Sequence, residues 1–78
     1  MSDLEVRLAN CFSVIFPDLK AAEIYRATNA SVPAWDSAAS IMLVNVIEEE
    51  FSVQIDMDVV PDLVSFELIR QYLQKVAK

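Results

Sequence analysis

Few residues of this 78-residue chain carry chemistry: there is no histidine, no glycine and a single cysteine. With Cys11 alone and no histidine, neither a zinc site nor a histidine-activated nucleophile can be assembled. No glycine-rich loop is available to cradle a phosphate. What remains is the pair Asp36 and Ser37, followed by an apolar-rich segment that ends in Glu48, Glu49, Glu50 and Phe51. Asp36 is a good helix N-cap, because its carboxylate accepts orphan N–H groups of the first turn, and this puts Ser37 at the helix start. No base other than Asp36 lies near Ser37, so the serine is poorly equipped as a nucleophile in its own right. The dipole and free N–H groups of a helix N-terminus do favour an anionic ester there. Ser37 therefore reads either as a residue that another enzyme modifies or as part of the helix cap alone.

The elements that must position this pair follow from periodicity. Ser2 and Glu5 have the spacing of a capping box, and Leu4, Leu8, Cys11, Phe12 and Ile15 then recur at three- and four-residue steps as one helix face. Pro17 ends that helix. Cys11 lies on the apolar stripe and is expected to be a small buried hydrophobe. Residues 21–26 can form a short helical turn anchored by Ile24 and Tyr25. Residues 28–33 are small or turn-forming and end in proline, which predicts an extended loop of a length that often frames a functional site.

In the helix from Asp36, the residues Ser40, Leu43, Val44, Ile47 and Phe51 share a side, with Leu43, Ile47 and Phe51 as the expected core anchors. Ala38, Ile41, Met42 and Asn45 fall nearer the other side, ahead of Glu48 and Glu49. Ile and Met are unusual on a solvent-facing stripe, so these residues either bury as well or form a docking patch. Residues 52–58 read as a connector and residues 58–62 as a brief helical turn. Ser65 caps a last helix with Phe66, Leu68, Ile69, Tyr72, Leu73 and Val76 on its apolar face and Arg70, Lys75 and Lys78 towards its end. Without glycine, only Asn29 and Asn45 would take a left-handed cap cheaply, so helix ends are expected to fray or use side-chain caps. The expected fold is all-α: one domain over residues 1–78, a small four-helix bundle of three main helices plus one short helix, with a long first loop.

Composition narrows the function classes. An apolar content of 55% allows a core without metal or disulfide staples. A lone cysteine points to a reducing setting, and the N-terminal residues do not resemble a signal peptide, so a cytoplasmic location is expected. No apolar run approaches the ~20 residues that cross a bilayer. The net charge is −6, and between Arg26 and Arg70 there is no basic residue. That span carries Asp36, Glu48, Glu49, Glu50, Asp56, Asp58, Asp62 and Glu67. Such a middle repels nucleic acid and anionic lipid and favours basic protein surfaces. Asp56, Asp58 and Asp62 lack the glycine and terminal glutamate of a calcium loop.

Trp35, Asp36 and Ser37, with Glu48, Glu49, Glu50 and Phe51 at their spacing behind them, resemble the carrier-protein family of acyl carrier proteins and their peptidyl and aminoacyl relatives. There an Asp-Ser-Leu or Asp-Ser-Met motif opens the second helix of a four-helix bundle. The resemblance covers most of the chain. It implies that Ser37 receives 4′-phosphopantetheine from coenzyme A through a magnesium-dependent phosphopantetheinyl transferase, and that the arm then holds carboxylic acids as thioesters for acyl-loading and acyl-processing enzymes. The chain itself would be no enzyme, and a monomer is expected. Asp36 would cap the helix and face the transferase. Trp35, Ala38, Ile41, Met42 and Asn45 would serve docking, with Glu48 and Glu49 as electrostatic guides, although Trp35 also suits core packing. Three positions depart from the common pattern: Ala38 replaces Leu or Met, Trp35 stands where glycine-containing sequences are common, and Met42 replaces an acid. These resemble free-standing carriers of specialised pathways. The alternatives are an aminoacyl or peptidyl carrier, and a small acidic helical adaptor without a prosthetic group.

Overall fold

The computed structural model describes residues 3–76. Helix α1 spans Asp3–Ile15, α2 Ala21–Ile24, α3 Ser37–Phe51 and α4 Phe66–Val76, with a 3₁₀ turn at Val60–Asp62 before α4. Among the described residues there are no strands; Thr28 and Ser65 form one isolated antiparallel bridge. The expected all-α architecture of three main helices plus short pieces is what forms. Ser2, half of the expected capping box, lies outside the described residues, as does Lys78.

Helix α1 buries Leu8, Cys11 and Phe12 and half-buries Leu4 and Ile15, the stripe that its spacing predicts. The chain turns at Pro17, with Phe16 adding a further buried ring. Arg7 of α1 reaches Glu50 and Phe51 at the end of α3, while Phe12 meets Trp35 at its start, so α1 and α3 run antiparallel. Leu8, Phe12, Leu43, Ile47, Phe66, Ile69 and Leu73 are the fully buried residues at the centre. Burying side chains of this kind stabilises by about 1.5–3 kcal/mol each. Two expected apolar positions on α4, Leu68 and Val76, are exposed, because that helix touches the core along a narrower stripe. Phe51 is only half-buried: the guanidinium of Arg7 covers its ring at 4.5 Å from the centroid.

The long connection between α1 and α3 is wound, not extended. Thr28 and Ser31 exchange hydrogen bonds, each backbone N–H donating to the other's hydroxyl at 3.0 Å. Val32 N–H then donates to Thr28 O, and Trp35 N–H to Val32 O. Short hydroxyl side chains here do what glycine does elsewhere, closing tight turns by local bonds to the backbone. Asn29 N–H to Val64 O and Phe66 N–H to Ala27 O pin this segment to the start of α4. Ser65 caps α4 as expected, its Oγ accepting from Leu68 N–H at 3.1 Å.

The end of α3 departs from expectation. It neither frays nor uses an asparagine: Ser52 takes the left-handed conformation at φ 54°, ψ 46°, and the chain turns through it. Beyond it, the Glu48 carboxylate accepts from Ile55 N–H at 2.7 Å, holding the connector so that Ile55 is buried. A left-handed non-glycine residue carries roughly 1–2 kcal/mol of strain. Replacing it with glycine relieves that strain, less the unfolded-state entropy that glycine adds. Ser52→Gly is therefore expected to raise stability by about 0.5–1 kcal/mol, read as a higher urea midpoint at unchanged slope. A lowered midpoint would show that the serine side chain contributes more than its conformation loses.

Candidate functional site

Asp36 is in extended backbone at φ −103°, ψ −171°. Its Oδ1 accepts from Ala39 N–H at 2.8 Å, and its carbonyl accepts the first helical bond, from Ser40 N–H, at 2.9 Å. Ser37 is the first residue of α3 and is exposed. Among the described residues its hydroxyl has no hydrogen-bond partner, and the N–H groups of Ser37 and Ala38 have no acceptor. A free hydroxyl therefore stands beside two unfilled donors at the positive end of a helix of 15 residues.

The residue before the cap holds this arrangement in place. Trp35 is buried at 5% exposure; its ring stands edge-on to Phe12, with centroids 5.4 Å apart, and lies 5.7 Å from Phe16. Its Nε1–H donates to Ser40 Oγ at 2.9 Å. Relative to the helix start these are the two positions that an apolar staple usually joins, and here a hydrogen bond joins them. Of the two expectations for Trp35, docking and core packing, the burial of its ring bears out the packing.

An open groove of about 440 Å³ lies alongside Ser37. Trp35, Asp36, Ser37, Ser40 and Ile41 line it from the start of α3, and Met57, Val60, Pro61 and Val64 from the segment around the 3₁₀ turn, with Asn29 also present. Sequence reading found none of this second group. Its periodicity is too short to register, and only the exposed Met57 stands out, at 61% exposure. Ser40 could have been found from its staple spacing to Trp35.

The outer face of α3 carries Ala38, Ile41, Met42, Asn45 and Glu49, all exposed, with Ile41 at 47% and Met42 at 51%. The expected choice between burial and display is settled as display. The three consecutive glutamates have separate fates. Glu48 is half-buried and accepts from Ile55 N–H, so it clasps the connector to the end of α3. Glu50 accepts from Arg7 Nε at 2.8 Å. Glu49 alone of the three has no partner among the described residues and faces solvent.

Cys11 is buried, and burial, assisted by the nearby Glu50 charge, pushes its thiol up to about 11. It is neutral and unreactive near neutral pH. Among the described residues no cluster of His, Cys, Asp or Glu could hold a metal ion, and no helix is long and apolar enough to cross a membrane. Comparison of the chain with protein-family models, with curated proteins and with solved structures finds no match in any of the three.

The cap can be separated from its charge. Asp36→Ala is expected to destabilise the fold by about 0.5–2 kcal/mol in urea unfolding, while Asp36→Asn stays within a few tenths, because either side chain offers an acceptor to Ala39 N–H. Equal losses in both variants would mean that charge, not the hydrogen bond, sets the helix start.

Proposed function

We propose that this chain is a carrier protein that bears 4′-phosphopantetheine on Ser37 and passes acyl groups, as thioesters, between enzymes of a specialised biosynthetic pathway. The observation that carries the reading is the setting of Ser37: exposed, with an unbonded hydroxyl, at a helix N-terminus whose first N–H groups are open. That setting suits a phosphodiester, whose oxygens can take the N–H groups of Ser37 and Ala38. The bound group would supply a thiol on a long flexible arm; the chain's own part is to present it. The resemblance of Trp35, Asp36 and Ser37 to carrier motifs supports the same reading.

Asp36, the carboxylate next to Ser37 in the chain, caps the helix through its Oδ1, so the base for the modification is assigned to the transferase. Ser37 Oγ would attack the phosphorus next to the pantetheine of coenzyme A. One O–P bond forms, the pyrophosphate bond breaks, the hydroxyl proton passes to the transferase, and adenosine bisphosphate leaves. Magnesium belongs to the transferase. Docking falls to Ala38, Ile41, Met42 and Asn45, with the charges of Glu48 and Glu49 meeting basic partner surfaces and Glu49 the more exposed of the two. A monomer in a reducing, cytoplasmic setting suits a thiol that must visit several enzymes. The exposed Ile41 and Met42 also favour a second reading, an adaptor that docks through α3 without a prosthetic group.

Intact-mass measurement decides between them. After incubation with coenzyme A, magnesium and a broad-specificity phosphopantetheinyl transferase, the chain is expected to gain one phosphopantetheine, and Ser37→Ala to gain none. The folded protein should go from no titratable thiol to one, because Cys11 is shielded. A folded sample left unmodified by more than one transferase would reject the carrier reading and leave the adaptor.

A further inference from the structure

The groove at Ser37 and the aromatic core share a partition. Trp35 and Ser40 both line the groove, and behind the indole the rings follow one another into the bundle. Trp35 meets Phe12 and Phe16; Phe12 meets Phe66 at 5.3 Å, and Phe66 meets Tyr25 at 5.0 Å. Phe12 and Phe66 are fully buried. An alkyl chain leaving the groove for the space between the helices would have to displace the indole from two rings and break its bond to Ser40 Oγ, stranding a donor in an apolar interior. Close-packed rings of this kind do not part gradually to admit a guest.

We infer that Trp35, held by Ser40, limits the cargo: it confines the acyl group to the open groove and bars long alkyl tails from the core. This rests on Ser37 carrying the arm. The groove begins at Ser37 itself, and its open side lets the arm lie along it or fold back to bring the acyl group against its lining. Its lining mixes Ile41, Met57 and Val64 with Asn29 and Ser40, so a short chain finds apolar contact and a carbonyl or hydroxyl finds a partner. Trp35 is the specificity-determining residue, and Ser40 positions it.

The partition can be tested without any transferase. In full-length Ser37→Cys, the new thiol is alkylated with iodoacetamides bearing ethyl, hexyl and dodecyl tails, while buried Cys11 stays unreacted. NMR signals of Ile41, Met57 and Val64 are expected to shift with the ethyl tail. Signals of Leu43, Ile47, Ile69 and Leu73 are expected to stay in place with all three. Adding Trp35→Leu should let the dodecyl tail shift those core signals. Should that variant not fold, Ser40→Ala, which keeps the ring and removes its anchor, should do the same more weakly. Core shifts that grow with tail length in the Trp35 background would overturn the inference. So would groove signals that ignore the ethyl tail, or a core that stays closed in a folded Trp35→Leu variant. Because tethering is chemical, this result stands apart from the mass measurement: a chain that no transferase modifies can still show or lack the partition.

Discussion

The position of Ser37 depends on one buried side chain. Trp35 is packed against Phe12 and Phe16 and tied by its N–H to Ser40, so the residue that enters the cap is fixed to α1 and α3 at once. A helix N-terminus is ordinarily prone to fray, because its first four N–H groups have no helical partner. Here the Asp36 carboxylate takes Ala39 N–H and the indole anchors the chain just before it, so the first turn is held from both sides. Ser37 is left outside this clamp, exposed and unbonded, one residue beyond the cap. On the proposed reading, a residue held in this way is displayed for modification without depending on a frayed helix end.

The absence of glycine shapes the rest of the fold. Every sharp turn is made by other means: a reciprocal pair of hydroxyl-to-backbone bonds at Thr28 and Ser31, a strained left-handed Ser52, and a carboxylate clasp from Glu48 to Ile55. Two of these devices act through specific side chains, those of Thr28 and Ser31 and of Glu48, and the third through the backbone of Ser52. The consequence reaches the site. The Glu48 clasp and the buried Ile55 set the course of the connector, and the connector leads to Met57 and Val60, which form the far side of the groove.

Charge is divided in the same economical way. The acidic run at the end of α3 looks uniform in the sequence, yet one glutamate clasps a loop, one pairs with Arg7 and only Glu49, among the described residues, is left without a partner. That face displays Ile41 and Met42 beside the unpaired Glu49. If it docks partners as proposed, apolar contact contributes more than long-range attraction, because exposed charges steer weakly at physiological salt.

Local chemistry determined much of this protein from sequence alone. The 3.6-residue spacing of Leu8, Cys11 and Phe12, the stop at Pro17, the caps at Asp36 and Ser65 and the exposed start of α3 all arise from contacts within a few residues, and all were legible. What was misread or not legible shares a cause. Ser52 as a left-handed cap, the partners of Glu48 and Glu50, the half-burial of Phe51 and the exposure of Leu68 and Val76 each depend on what lies across the bundle. The groove is the clearest case: Ser37 and Ile41 meet Met57, Val60 and Val64 only once α3 and the segment before α4 have packed. Spacing along a chain specifies which faces can form; which faces meet is decided by the competition of whole elements for one small core.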